Sequence, residues 1–310
     1  MDRIDSLRVF VAVAELRGFA PAARQLGFSG PAVTRAIGAL EHRIGAQLVQ
    51  RTTRSVRLTE VGTRFFEDCR RILAELADAE AEAGGAFRSP QGQLAVTAPS
   101  LFGRMHVAPV LLDFLDAHPG VSARSFFVDR IVNLHDEGFD VAVRIAHLPD
   151  SGLTAVRVGA MRRVVVAAPD YLARHGAPQT PAELARHDAI GFSQTGGPSE
   201  PWSFYPPGRK QRADRELSLP RIPLTANASE VTIAAALRGR GLTRAMYYQV
   251  AAEVQAGRLQ ILLADFEPTP IPVHLVYAAG RKAPAKVRAF VDFAVERLRR
   301  EPVLQETAGV

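Results

Sequence analysis

Leu7, Phe10, Val11 and Ala14 recur at i, i+3, i+4 and i+7, so the chain opens on a helix with one apolar face. Ala22, Ala23 and Leu26 mark a second, shorter face, with Pro21 suited to a first helical turn. Val33, Ile37, Leu40 and Ile44 mark a third. From Thr59 the pattern changes. Phe65, Cys69, Ile72, Leu76, Ala79 and Ala83 alternate spacings of four and three, a heptad seam along one long helix. Gly84 and Gly85 weaken it, and Ser89-Pro90-Gln91-Gly92 ends it. A lone helix cannot bury such a seam. These six residues therefore predict a partner helix, most simply from a second copy of the chain.

Beyond Gly92 short apolar runs alternate with helical stretches. Strands are expected at Leu94–Ala98, Ser125–Val128, Val141–Ile145, Val164–Ala168, Ala189–Phe192 and Val273–Tyr277. Helices are expected at Phe102–Ala117, Ala182–Arg186, Glu230–Arg238, Tyr247–Ala256 and Pro284–Arg300. Thr180-Pro181-Ala182-Glu183 reads as a capping box with Pro at the first helical position. The alternation predicts an α/β body with a largely parallel sheet. Arg209–Glu216, bracketed by Pro206-Pro207-Gly208 and Pro220, reads as a surface excursion.

The stretch AARQLGFSGPAVTRAIGALE, Ala22–Glu41, interrupts a helical pattern with Gly, Phe, Ser, Gly and Pro. Gly27 suits the left-handed residue that stops a helix, and Ser29 suits the cap of the next one. Pro31 falls in that helix's first turn, where no backbone donor is missed. Phe28 is expected to pin the turn into the core. Val33, Ile37 and Leu40 then face inward, leaving Gly30, Thr34, Arg35 and Gly38 outward. This fits a helix-turn-helix that offers small and basic residues to a DNA major groove, and equally an ordinary helical hairpin. The alternating, Arg-rich Arg51–Leu58 that follows favours the first, because it reads as a β-wing able to touch phosphates.

Charge distribution bears on the choice. The net charge is +6, and residues 1–58 hold nine Arg, no Lys and four acids, or +5 of it. A basic first fifth on a nearly neutral body is the footprint of a polyanion-binding head. An Arg-rich genome is the other reading, since 35 of the 38 basic residues are Arg. No uninterrupted apolar run reaches the length of a membrane span, and Asp2, Asp5, Arg8 and Glu15 break any signal-peptide pattern. The single cysteine excludes an intramolecular disulfide and a Cys-rich zinc site. Together these suggest the cytoplasm. The sequence contains no G-x-S-x-G, Walker A, complete G-x-G-x-x-G or H-E-x-x-H, and its eight His are scattered, so neither an enzyme nor a metal site is indicated. A transport-type solute-binding protein would fit the body but not the basic head.

The run LRVFVAVAELRGFAPAARQLGFSGPAVTRAIGALEHRIGAQLVQRTTRSVRLTEVG, Leu7–Gly62, resembles the LysR-type transcriptional regulators. RGLTRAMYYQVAAEVQAGRLQILLADFEPTPIPVHLVYAAG, near the other end, resembles the return between lobes in a broad subset of that family. The fold implied is α+β multidomain: an N-terminal winged helix-turn-helix (1–58), a long linker and dimerisation helix (59–88), and a C-terminal two-lobed α/β periplasmic-binding-protein-like domain (89–310). Lobe I would take 92–161 and 268–300, and lobe II 162–267, with crossings near Met161 and Pro268–Pro272. The function implied is binding of an interrupted palindromic operator as an oligomer, modulated by a small, anionic effector in the cleft. The implied partners are double-stranded DNA, the effector, further copies in a homodimer or homotetramer, and RNA polymerase. No cofactor, metal or membrane is implied.

Residue by residue, Ser29, Arg51, Arg54 and Arg57 are expected on phosphates, and Thr34 and Arg35 on base edges. Gly18 and Ala20 flank Phe19 where the family usually has Ser or Thr, and Gly30 stands where a Gln is common. Sequence reading therefore falls on Pro31, Thr34 and Arg35 beside Gly30. For the effector, Ser100 would bring a hydroxyl and free backbone N–H groups to the cleft at the end of the first strand. Asn227 and Ser229 would do the same from the opposite wall. Phe192 and Ser193 end a lobe II strand, and Arg144 ends Val141–Ile145 as an anion partner or a salt-bridge residue. Phe102, Phe127, Asp129 and Arg130 complete the set.

Overall fold

The computed structural model describes residues 1–51, 56–83, 89–195, 197–199, 201–205, 215–217, 221–278 and 283–305. The chain divides into two compact units, Met1–Gly92 and Gln93–Val310.

In the first unit, helix α1 (Arg3–Glu15) starts at Asp2, whose carboxylate accepts from the Asp5 N–H at 2.6 Å. Its buried arc is Ser6, Val9, Phe10, Ala12 and Val13; of the expected face Phe10 is fully buried and Leu7, Val11 and Ala14 are half-buried at its edge. A helix with neighbours on several sides buries a wide arc, and periodicity alone does not fix the centre of that arc. Ser6 is tolerated there because its hydroxyl donates to the Asp2 carbonyl at 2.8 Å. Helix α2 (Phe19–Leu26) ends at Gly27, whose φ of +70° is the left-handed conformation that favours glycine. Ser29 then caps α3 (Gly30–Ile44), accepting from the Ala32 N–H at 3.3 Å. Val33, Ile37 and Leu40 are buried as expected. Phe28 and Ile44 are each 37% exposed, so neither joins the core: the glycine turn is held by its backbone without an apolar pin.

Strands β1 (Val49–Arg51) and β2 (Val56–Leu58) pair antiparallel, with Gln50 opposite Arg57. Glu41 on α3 positions them by accepting the Leu48 and Val49 N–H groups at 2.8 and 3.0 Å. Helix α4 (Glu60–Ala83) starts against the same segment. The Thr59 hydroxyl donates to the Gln47 carbonyl at 2.7 Å and accepts the Gly62 N–H at 2.9 Å. Gly62 has no room for a side chain, since a Cβ there would lie 1.9 Å from the Leu48 carbonyl oxygen. Two of the residues expected on a dimer seam of α4 are used inside the first unit instead. The Phe65 ring lies 5.5 Å from that of Phe10, and Cys69 is fully buried in the same core, so both serve the head's own packing against α1. Ile72 remains 43% exposed and Leu76 half-buried. The side chains of Ala79 and Ala83 lie outside the described residues.

The second unit begins with β3 (Gly92–Ala98), followed by α5 (Ser100–Phe102), a π turn at Gly103–Val107 and α6 (Ala108–Ala117). Strands β4 (Val121–Phe127), β5 (Val141–Ile145) and β6 (Thr154–Met161) follow. The chain then crosses to a second lobe: β7 (Arg163–Ala167), α7 (Pro169–His175), β8 (Ala189–Phe192), β9 (Trp202–Phe204), β10 (Arg215–Leu217) and β11 (Leu224–Ala226). Helix α8 (Ser229–Leu237), β12 (Leu242–Met246), α9 (Tyr247–Gln255) and β13 (Gln260–Leu262) complete that lobe. Strand β14 (Ile271–Tyr277) and α10 (Ala285–Leu298) return to the first.

Each lobe holds one five-stranded sheet, in the orders β4-β3-β5-β14-β6 and β11-β8-β12-β7-β13. Neither is largely parallel, contrary to the alternation reading. Strand β14 runs antiparallel to both β5 and β6, and β7 antiparallel to both β12 and β13. The reversed strands are those beside the two crossings: β7 enters lobe II and β14 re-enters lobe I, each from the hinge side. The first core packs Phe102 and Phe114 with Phe290 and Leu298 of α10. The lobe II sheet is buried on both faces, which explains the unbroken apolar run of β7. Pro181–Arg186 is a 3-10 turn in place of the expected α-helix, and Glu183 reaches back to the Gln179 N–H at 3.1 Å without closing a capping box on Thr180. Residues 206–214 of the expected surface excursion lie outside the described residues.

Candidate functional site: a helix face and an arginine-lined cleft

In the head, the buried Val33, Ala36, Ile37 and Leu40 leave the opposite side of α3 in solvent. Gly30, Pro31, Arg35 and Gly38 are exposed there and Thr34 is half-buried. This is one stripe at helical spacing. Ser29 uses its oxygen to cap α3, and its O–H remains a donor for another acceptor. Arg57 is exposed on β2. Arg51 lies in β1 opposite Val56, its side chain outside what is described, and Arg54 falls outside the described residues altogether.

In the second unit a cavity of about 420 Å³ opens between the lobes, a size suited to a small molecule. Of the effector residues expected from the sequence, Asp129, Arg130, Arg144, Phe192 and Ser229 line it. Ser100 does not. Its hydroxyl donates to the Phe127 carbonyl at 3.3 Å and its N–H to Asp129 Oδ1 at 2.9 Å, so the groups expected to be free are taken within lobe I. Phe102 is fully buried in the lobe I core, 5.2 Å from the Tyr248 ring. Ser193 is buried with its N–H on the Ala226 carbonyl, and Asn227 is exposed outside the lining. A cap location can be read locally, but the atoms that occupy a cap come from distant segments.

Sequence reading missed Arg163, Trp202, Arg244 and Tyr248, which also line the cavity. Arg244 sits 5.9 Å from the Trp202 ring centre, a cation–π arrangement that fixes its orientation. Burial pushes the Tyr248 hydroxyl up to about 12, so it stays a protonated donor. Arg144 Nη2 donates to the Val132 carbonyl at 2.8 Å, and Arg130 is paired with Glu137 through Nη1 at 2.8 Å. The missed signal was an Arg in a mostly apolar strand, at the start of RVVVA and in the middle of LTRAM.

Beneath the cleft the two crossings are tied together. Arg162 holds Glu267 bidentately, Nε to Oε2 at 2.9 Å and Nη2 to Oε1 at 2.8 Å. The guanidinium also lies over the Tyr247 ring, and the Tyr247 N–H donates to the Arg162 carbonyl at 2.9 Å. Arg104 of the π turn is ion-paired with Glu230 of α8, a link from one lobe to the other. The backbone N–H of Glu230 itself, then Arg104, hold that carboxyl below the usual range. Among the described residues no cluster of three or more His, Cys, Asp or Glu could hold a metal, and no helix is long and apolar enough to cross a membrane.

The profile of the bacterial regulatory helix-turn-helix protein, lysR family, matches residues 4–63, and that of the LysR substrate binding domain matches residues 87–299. The HTH-type transcriptional regulator CrgA of Neisseria meningitidis serogroup B is 33% identical over 297 residues, covering 95% of this chain and 96% of that one. An HTH-type transcriptional regulator of Xanthomonas campestris pv. campestris is 34% identical, covering 94% and 84%. The solved structure of CrgA, a LysR-type transcriptional regulator, superimposes with a TM-score of 0.58, covering 95% of this chain and 98% of the other at 33% identity. These relatives are DNA-binding regulators and not enzymes, and the helix-turn-helix and the two-lobed domain are the parts this family combines. The chain belongs to the LysR-type transcriptional regulators.

Proposed function

We propose that this regulator binds an interrupted palindromic operator as an oligomer and responds to a small anion held between its lobes. One observation carries the reading: the chain that exposes Arg35 on α3 also encloses a cavity walled by Arg144, Arg163 and Arg244. Thr34 and Arg35 read base edges, with Gly30 and Pro31 allowing close approach, while Ser29, Arg51, Arg54 and Arg57 take phosphates. The working division is a head at 1–58, a linker helix at 59–88 and an effector domain at 89–310. Ile72 and Leu76 begin the dimerising seam, with Ala79 and Ala83 continuing it. A homodimer is the minimum a two-fold operator requires, and a homotetramer extends it. The protein acts in the cytoplasm, where its DNA lies, and RNA polymerase is the partner through which it changes transcription.

A ligand moves the lobe equilibrium only by its difference in affinity for the two arrangements, and coupling through the oligomer converts that difference into operator occupancy. The test is a gel-shift titration on the DNA immediately upstream of its own gene, at two salt concentrations with excess competitor DNA. Shifting that survives competitor and weakens with salt is expected. If neither that DNA nor a random-sequence selection yields a bound species, the proposal fails.

A further inference from the structure

The arginines of the cleft are unevenly placed. On the lobe II sheet, Met246 pairs with Arg163 and Arg244 with Val165, so Arg163 and Arg244 are diagonal neighbours on one face. Both line the cavity, and among the described residues that lobe contributes no carboxylate to the lining. A guanidinium has five N–H donors, so engaging one partner does not exhaust it. Two of them side by side can fill all four acceptor sites of one carboxylate. Arg144 stands apart, on β5 of lobe I beside Ile145, in register with His274 of β14 and anchored to the Val132 carbonyl. A carboxylate saturated by the lobe II pair has nothing left for it. Phe192 of β8 and Trp202 of β9 add apolar surface to the lobe II wall of the cavity, which favours an apolar body over a polyhydroxylated one.

Building on the reading of an anionic effector in this cleft, we infer that the ligand is a small dianion, a dicarboxylate with a short apolar spacer, gripped at one end by Arg163 and Arg244 and at the other by Arg144. Such a molecule bridges the lobes, whereas a monoanion engages only one. Bridging supplies the differential affinity a lobe-closing switch requires.

Trp202, the only tryptophan of the chain, lines the cavity but is buried, so binding is followed by calorimetry with its emission as a second signal. The full-length protein is titrated with the linear dicarboxylates from malonate to adipate, with the monomethyl ester of each, and with acetate and benzoate. At least one diacid is expected to bind about tenfold or more tightly than its half-ester. Arg144→Ala and Arg244→Ala should each weaken that diacid about tenfold, while only one of them weakens the half-ester. Arg144→Lys, which keeps the charge, should recover part of the loss, and melting curves identify any variant that fails to fold. A half-ester or monoacid that binds as tightly as the diacid overturns the two-ended grip and leaves the anionic cleft standing. Binding by none of the probes overturns both.

Discussion

On the exposed face of α3, Arg35 reaches into solvent, whereas Arg144 in the cleft wall is half-buried and already bonded to the Val132 carbonyl. Both are arginines assigned to an anion, in contrasting settings. A side chain that meets a long external polymer can stay mobile, because the duplex brings its own rigid array of phosphates and base edges. A site for a small molecule gains by being arranged beforehand, since every rotamer frozen on binding subtracts from affinity. The cation–π contact of Arg244 with Trp202, and the carbonyl on Arg144, do that arranging. Substitutions in the head should therefore change function with little change in stability, and those around the cleft should change both.

The largest effect expected is at the hinge. Arg162→Ala leaves the Glu267 carboxylate, 13% exposed, without its bidentate partner. A loss of about 3 kcal/mol from the second unit is expected, scaled down from a fully buried pair. A denaturant titration followed by Trp202 emission measures it, and an unchanged midpoint would mean that the crossings are held by the strands alone. Next comes Arg35→Ala, expected to cost about 2 kcal/mol of operator affinity with the melting of the head's helices, followed by circular dichroism, unmoved. Loss of both together would erase the contrast between head and cleft.

The smallest effect expected is a pH response confined to one unit. Burial holds His106, His187 and His274 below the ordinary imidazole value of 6.5, with His175 adding to it at His187, and Arg157 and His147 at His274. The folded unit then binds fewer protons than the unfolded chain. This stability is complete above 6.5 and drains away as pH falls through it toward the lowered values. The Trp202 melting midpoint should therefore drop between about pH 7 and 5. A flat profile would show that these rings open to water before the unit unfolds.

What could be read in the sequence follows from how local each feature is. The Gly27 stop, the Ser29 cap and the buried Val33, Ile37 and Leu40 depend on neighbours within a few residues, and all are present. Cys69 was legible as buried but not as belonging to the head, because its partner surface lies on α1, far back in the chain. The cleft was least legible. Arg163 and Arg244 become neighbours only through the register of β7 against β12, and Ser100 loses its free groups to Asp129 and Phe127, which fold in from the next strand.

The burial of Cys69 has a practical consequence. Burial, then the charge of Asp68, pushes its thiol up to about 11, so at neutral pH almost no thiolate forms to react with a maleimide or a peroxide. It is also the only cysteine in the chain. The buried thiol of the native protein should therefore react slowly with thiol reagents. A cysteine introduced at an exposed position on each lobe would be the only pair to take a dye, and the distance between the dyes could be followed as the cleft fills, without first deleting a native residue.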